Sequence, residues 1–262
     1  MKNESVAVNC RWKGLTGSGL KWIAIITMLI DHLGASLIEV YLMNGYGNAP
    51  WDGFRTLSYE TMMVWYHLDR VLRCIGRVSF PIFCFLLVEG FFHTRSKKKY
   101  AIRLGIFVFL SEIPFDLAFF GEAFHWEHQN VFLTLFLALI GMWSLDYFRK
   151  RGQIESLFGI VCIGAAALCA DWFRSDYGSF GILLIVVLYL FRSHRGLQAA
   201  IGAVLLLAYG GTEGYGMLAF LPILLYNGKR GTLPKHFVYM FYPLHLLILI
   251  VLGRWILPIL FG

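Results

Sequence analysis

Apolar positions in this chain come in long continuous runs, not in alternation. Nine windows carry them: 20–42, 71–91, 100–120, 131–147, 154–170, 180–191, 197–209, 215–226 and 237–260. Crossing about 30 Å of hydrocarbon takes roughly 20 helical residues, and most of these windows approach or exceed that. A membrane barrel would show short alternating segments instead. Backbone groups in hydrocarbon must also be satisfied within their own segment, which leaves helices. The pattern predicts an all-α fold, a polytopic transmembrane helix bundle of about nine spans. Two windows are thin. The runs 197–209 and 215–226 flank Gly210, Gly211, Gly214 and Gly216, and two short crossings or one re-entrant hairpin fit them equally well. Residues 44–67, aromatic and mixed in charge, suit a segment along the outer interface.

Composition sharpens this reading. Apolar residues make up 58% of the chain and charged residues 15%, where a soluble domain carries about 25% charged. We expect a single integral-membrane domain over residues 1–262, with 1–19 as a cytoplasmic N-terminal segment. The first apolar run lacks a small-residue cleavage site and more runs follow it, so it reads as a retained span.

Charge gives the orientation. Alternate ends of the runs carry Lys2, Arg11, Lys13 and Lys21; Arg95, Lys97, Lys98 and Lys99; Arg149, Lys150 and Arg151; Arg192 and Arg195; and Lys229, Arg230 and Lys235. The intervening ends are poor in cations and hold Glu60, Asp69, Glu122, Glu127, Asp171, Asp176 and Glu213. The basic ends are therefore expected in the cytoplasm, with the N-terminus inside and the C-terminus outside. The net charge of +7 follows from this bias. It calls for a lipid bilayer as partner and for no nucleic acid. The five cysteines, Cys10, Cys74, Cys84, Cys162 and Cys169, show neither metal-ligand spacing nor a disulfide framework, and no metal is expected.

The informative positions are polar residues at membrane depth, because a charge there must face protein or water. His32 lies near the middle of the first run, and His245 reaches similar depth in the last, within Phe241-Tyr-Pro-Leu-His-Leu246. The pair reads either as structural histidines or as a proton-transfer site, since imidazole titrates near neutral pH. Asp31 adjoins His32 in sequence but points about 100° away around a helix, so its partner should lie on another helix. Glu112 and Asp116 are four apart, on one helical face, with Pro114 between them kinking the helix. They read as site lining, or as partners of Arg73 or Arg77. Arg77 would otherwise snorkel to water or hold an oxyanion. Asn130, Asp171 and Tyr177 sit at outer helix ends, as caps or anchors. The basic loops with Lys97, Lys98 and Arg149 offer a landing surface for a phosphate-rich cofactor. No Walker loop or dinucleotide fingerprint is present.

Taken in order, Asp31-His32, Gly76-Arg-Val-Ser-Phe-Pro-Ile-Phe83, Ser111-Glu-Ile-Pro-Phe-Asp116, Asn130-Val-Phe132, Asp171-Trp172 with Tyr177-Gly178, and Tyr242-Pro-Leu-His-Leu246 resemble the TraX family of bacterial membrane proteins, from about residue 20 to 252. The resemblance implies an acetyltransferase in the bacterial cytoplasmic (inner) membrane, akin to membrane acyltransferase bundles, with acetyl-CoA as the acyl donor entering from the cytoplasm. The founding member acetylates pilin. The acceptor here would be an amine or hydroxyl on a protein N-terminus, a glycan or a small molecule. On this reading His32 is the first candidate for general base and His245 the second. Asp31, Glu112 or Asp116 would orient or polarise the histidine. Arg77, Asn130 or Tyr242 would stabilise the oxyanion or hold the acceptor. The alternative is a proton-coupled transporter or flippase-like protein using the same His, Asp and Glu residues.

Overall fold

The computed structural model describes residues 14–43, 58–257 and 259, and all regular structure among them is helical. The helices are α1 (Gly17–His32), α2 (Tyr59–Gly76), α3 (Ser79–His93), α4 (Lys97–Phe119), α5 (Val131–Arg149), α6 (Gln153–Trp172), α7 (Gly178–Leu190), α8 (Arg195–Tyr209), α9 (Phe220–Leu224) and α10 (Lys235–Val251). Wider π-type turns prolong α1 over Leu33–Met43 and α10 over Leu252–Ile256, and a 3-10 segment, Gly211–Ala219, joins α8 to α9. Among the described residues, five stretches are long and apolar enough to cross a membrane: Gly17–Leu42, Tyr59–His93, Val131–Arg149, Gln153–Trp172 and His236–Ile256. The chain is thus an all-helical, multi-pass membrane protein. Each of the nine predicted windows holds helix, but the helices α7 and α8 are shorter than the membrane needs.

Side-chain caps start several helices, because the first N–H groups of a helix lack internal partners. Thr16, Ser58, Ser96 and Asn130 accept from the N–H of Gly19, Thr61, Lys99 and Phe132. The window predicted over 71–91 instead divides between α2, which starts at Tyr59, and α3, with the break at Arg77-Val78. The chain restarts at Ser79, which puts Pro81 in the first turn of α3, where its missing N–H would have no partner anyway. Of the segment expected along the interface, 58–67 falls largely in the N-terminal half of α2, while 44–57, like 1–13, lies outside the described residues.

The helix ends sort onto two faces. At one, Leu15 and Gly17 at the start of α1 hydrogen-bond Leu225 and Lys229 after α9 (2.8 and 2.7 Å), Arg192 after α7 pairs with Glu89 in α3 (2.6 Å), and Lys97 in α4 pairs with Asp146 in α5 (2.5 Å). This is the basic face. At the other, Arg77 meets Glu213 (2.6 Å) and Tyr177, and the α4–α5 loop joins the α6–α7 loop through Gln129, Arg174 and Asp176. The glycine-rich turn belongs here. Gly210 and Gly211 adopt positive φ of 85° and 58°, open to glycine at low cost, and turn α8 back through the 3-10 segment to α9. Both arms of this hairpin therefore run between the basic face and the level of Arg77.

The core lies among α1, α3, α4, α5, α7 and α10, around Leu20, Phe85, Leu139, Met142, Ile185 and Leu246. Helix α6 packs on α5 through Gly159, whose hydrogen faces Leu145, and Gly141, which faces Ile163. Small residues at such contacts let membrane helices approach closely. The opposite side of α6, with Leu157, Val161 and Leu168, is exposed and apolar, as suits a surface against lipid.

Candidate functional site

The two midplane histidines meet. His32, the last residue of α1, and His245 of α10 stack with ring centroids 4.9 Å apart, and His32 Nδ1 lies 2.6 Å from His245 Nε2. The proton positions follow from the next bond. His245 Nδ1 is 2.8 Å from the carbonyl oxygen of Phe241, which can only accept, so Nδ1 carries the hydrogen. In neutral His245 the other nitrogen, Nε2, is then an acceptor. His32 Nδ1 must donate to it, which leaves the lone pair of His32 on Nε2. Phe119 and Tyr242 stand edge-on to the His32 ring at 5.2 and 5.9 Å and hold it in this plane.

Asp31 points elsewhere, as its place on the helix requires. It binds two arginines from the last turn of α2 and the residue after it. One carboxylate oxygen accepts from Arg73 Nη1 and the other lies 2.9 Å from Arg77 Nη2. Arg77 continues the chain, with Nη1 2.6 Å from Glu213 and 3.2 Å from the Tyr177 hydroxyl. Arg73 Nε faces Glu39 at 3.4 Å. This approach of α1 to α2 needs two glycines: a Cβ on Gly76 would overlap the Asp31 side chain, and one on Gly34 would press on Asp69. Tyr177 reaches Arg77 from a left-handed backbone (φ 64°), an uncommon conformation for a bulky residue, with its ring stacked 3.6 Å from Phe80.

Two cavities adjoin this chain of side chains. The outer one, about 310 Å³, is lined by Asp31, His32, Glu39, Arg73, Arg77, His128, Asp176 and Tyr177, with Phe115, Phe119 and Phe120 behind. The inner one, about 450 Å³, runs from Gly17, Lys21, Thr94 and Arg230 at the basic face, past Arg103 and Tyr239, to Met28 and Tyr242. Met28, Phe83, Val131 and Tyr242 line both. In the loop at the outer face, His128 is drawn toward its charged form, its pKa raised chiefly by the carboxylate of Asp176, 3.8 Å from its Nε2.

Of the predicted site residues, His32, Asp31, Arg73, Arg77, Tyr177 and Tyr242 come together, and His245 supports them from behind. The others do not join them. Glu112 binds the side chain of Asn130, and Asp116 accepts from the N–H of His125 (2.8 Å). Neither lines the outer or the inner cavity; they tie the α4–α5 loop down. Asn130 has no donor left for an oxyanion. Its amide serves Val108 and Glu112, and its oxygen caps α5. Asp171 accepts from the N–H of Ser179 (2.6 Å) at the start of α7. The arginines pair with Asp31, Glu39 and Glu213, not with Glu112 or Asp116. Lys97 is held by Asp146 and lies over the Phe91 ring, while Lys98 and Arg149 are exposed at the basic face, and none of the three lines the inner cavity. The cations that do are Lys21, Arg103 and Arg230. Glu39, Asp176, Glu213 and His128 had not been singled out as site residues. Glu39 was a carboxylate inside an apolar run, the same signal that marked Asp31. No group of side chains suited to a metal occurs among the described residues.

No solved structure matches this chain. A probable fimbrial assembly protein, FimC of serogroup H1, from Dichelobacter nodosus is 29% identical, over 88% of this chain and 92% of its own. The family model described as TraX protein matches residues 16–253, which takes in His32, the arginine pair, the hairpin and His245. The chain belongs to the TraX family.

Proposed function

We propose that this protein is a membrane-embedded acetyltransferase that moves an acetyl group from acetyl-CoA to an amine or hydroxyl acceptor, with His32 as general base. The observation that carries this is the fixed tautomer of His32. Its Nδ1–H is committed to His245, so the lone pair on Nε2 belongs to a ring that lines the outer cavity. An acceptor N–H or O–H there attacks the thioester carbonyl and gives its proton to Nε2. The C–S bond breaks, and the sulfur leaves as thiolate and receives that proton. The positive charge formed on His32 is shared with His245 through their hydrogen bond, since His245 can take the Nδ1 proton while keeping its own on Phe241. Arg73 is the better partner for the oxyanion. Its Nη1 and Nε face Asp31 and Glu39, and its Nη2 donors meet no side chain among the described residues, whereas Arg77 is committed to Asp31, Glu213, Tyr177 and the Arg73 carbonyl.

In this reading the basic face is cytoplasmic, the membrane is the bacterial inner membrane, and the N- and C-termini lie inside and outside. The relative's part in fimbrial assembly favours an acceptor among surface-fibre subunits. The test is His32→Ala in membranes given labelled acetyl-CoA. A positioned base contributes about 10²–10⁴-fold, so label transfer should fall by at least that factor while the variant inserts and unfolds like wild type. Undiminished transfer would remove the assignment.

A second reading, proton-coupled transport, is favoured by one observation, the abutment of two cavities that together run from face to face. It predicts that a proton gradient is dissipated without any acetyl-CoA being consumed.

A further inference from the structure

We infer that His128 and Asp176, on the loops that border the outer cavity, form a second proton-accepting pair, which takes a proton from an acceptor that arrives as an ammonium before its nitrogen is used at His32. This deepens the acetyltransferase reading and rests on it.

The need follows from counting protons. A hydroxyl acceptor brings one proton to the reaction, which His32 passes to the leaving sulfur. An alkyl amine brings two. Its pKa is about 8 at a chain terminus and about 10 on a lysine, so at neutral pH it arrives charged, with no lone pair to attack. His32 serves one proton per turnover and cannot take the other as well. In the balanced sequence the ammonium gives one proton to His128 and becomes a free amine. Its nitrogen bonds to the thioester carbonyl carbon, the C–S bond breaks, and His32 carries the second proton from nitrogen to sulfur. His128 then gives its proton to the outer water. The products are an amide, a thiol and one released proton.

His128, Asp176 and His32 line the same cavity. Along its wall two phenyl rings link the imidazoles. Phe115 lies 6.1 Å from His128, Phe119 lies 5.0 Å from Phe115, and His32 lies 5.2 Å from Phe119, all between ring centroids. The His128 side chain is 45% exposed, so water can reach it. Three carboxylates line this cavity. Asp31 is held by Arg73 and Arg77, and Glu39 faces Arg73 at 3.4 Å. The ion pair of Asp176 among the described residues is with His128, at 3.8 Å. Asp176 is thus the carboxylate of this wall left to draw in an ammonium.

Backbone contacts hold the pair together. The Asp176 N–H donates to the Gln129 carbonyl oxygen (2.9 Å), the Gln129 N–H donates to that of Arg174 (3.0 Å), and the Thr134 hydroxyl donates to that of Asp176. Arg174 and Tyr177, to either side of Asp176, have left-handed backbones (φ 51° and 64°), which non-glycine residues keep only where their surroundings enforce it. Asp176 first, then Glu112 and Asp116 of α4, raise the His128 imidazole above its ordinary value. Glu127 beside it is paired with Arg174 (3.6 Å). A raised imidazole titrates closer to neutral pH, where a base that must both take and release a proton works best.

The experiment follows label transfer from acetyl-CoA against pH, in membranes that contain the native acceptor, for wild type, His128→Gln and Asp176→Asn. Without the pair the protein must wait for an acceptor already present as free amine, about a tenth of a chain terminus at pH 7. Each variant is therefore expected to transfer about tenfold less, or lower still, at about pH 7, and to recover toward wild type as pH rises to about 9.5. His32→Ala should stay inactive throughout. The labelled product should resist hydroxylamine, as an amide does and an ester does not. Thermal unfolding checks that each variant is folded, and the two substitutions, on different loops, guard against losing one. Variants that match wild type at every pH, a loss that high pH does not restore, or a product cleaved by hydroxylamine each overturn the inference and leave acetyl transfer standing. No transfer by wild type at any pH overturns the acetyltransferase reading itself.

Discussion

At the residue scale, the histidine pair divides one task between two rings. His245 has both nitrogens engaged, so its part is to receive the His32 Nδ1–H and hold the tautomer. His245→Phe should lower turnover about 10- to 100-fold without changing donor affinity, a smaller loss than that of His32→Ala. Steady-state kinetics with the donor varied would separate the two effects. His128 makes a second prediction, about pH. Its pKa is raised by the neighbouring Asp176 carboxylate, so the folded loop binds the proton more tightly than the unfolded chain does. That contribution to stability is fully present below about 6.5, the ordinary imidazole value, and is lost as pH rises through the elevated value. Thermal unfolding should therefore show a decline with pH across that window, and Asp176→Asn should flatten it. Much of this chemistry was legible. Asp31 and His32 stood out as polar residues in an apolar run, and the angle between neighbours on a helix already required Asp31 to find its partner on another helix. What could not be read was where a carboxylate turns when loops fold back. Glu112 and Asp116 share a helical face, but the α4–α5 loop returns over that face and uses both.

At the scale of elements, the junction of α1 with α2 depends on residues that have no side chain. Gly76 and Gly34 let Asp31 and Asp69 lie against the neighbouring backbone, and only then do Arg73 and Arg77 reach Asp31. Gly76→Ala should push α1 and α2 apart and cost about 1–3 kcal/mol or more, as overpacking of a filled contact does. Its melting temperature should drop well below that of Gly164→Ala, where nothing lies within 4 Å of the new methyl group. The sequence marks these glycines only as breaks in an apolar pattern; the need for them is set by the facing helix. The break between α2 and α3 is similar. Pro81 signals a helix start as readily as a kink, and the charged stretch before residue 71 hid the fact that helix extends back to Tyr59.

At the scale of the whole molecule, the alternation of basic and acidic ends predicts two faces before any contact is known, because that bias is spread over every turn. The contacts at each face sort the described ends in the same way. Cysteines placed at Lys98 and Glu127, in a background without the native five, should be labelled from opposite sides of the membrane; labelling of both from one side would break the arrangement. The crossing number was harder to read, since α7 and α8 are too short for length alone to decide, and the 3-10 return of the hairpin has no apolar signature of its own. One further consequence concerns biogenesis. His32 and His245 are 213 positions apart, and the second is delivered by α10, which is made after the other nine described α-helices. A nascent chain arrested between α3 and α10 has Asp31 and both its arginines but an imidazole with no fixed tautomer and an inner cavity missing the Tyr239 and Tyr242 wall. The His32 tautomer is thus fixed in a single step, when α10 packs against α1.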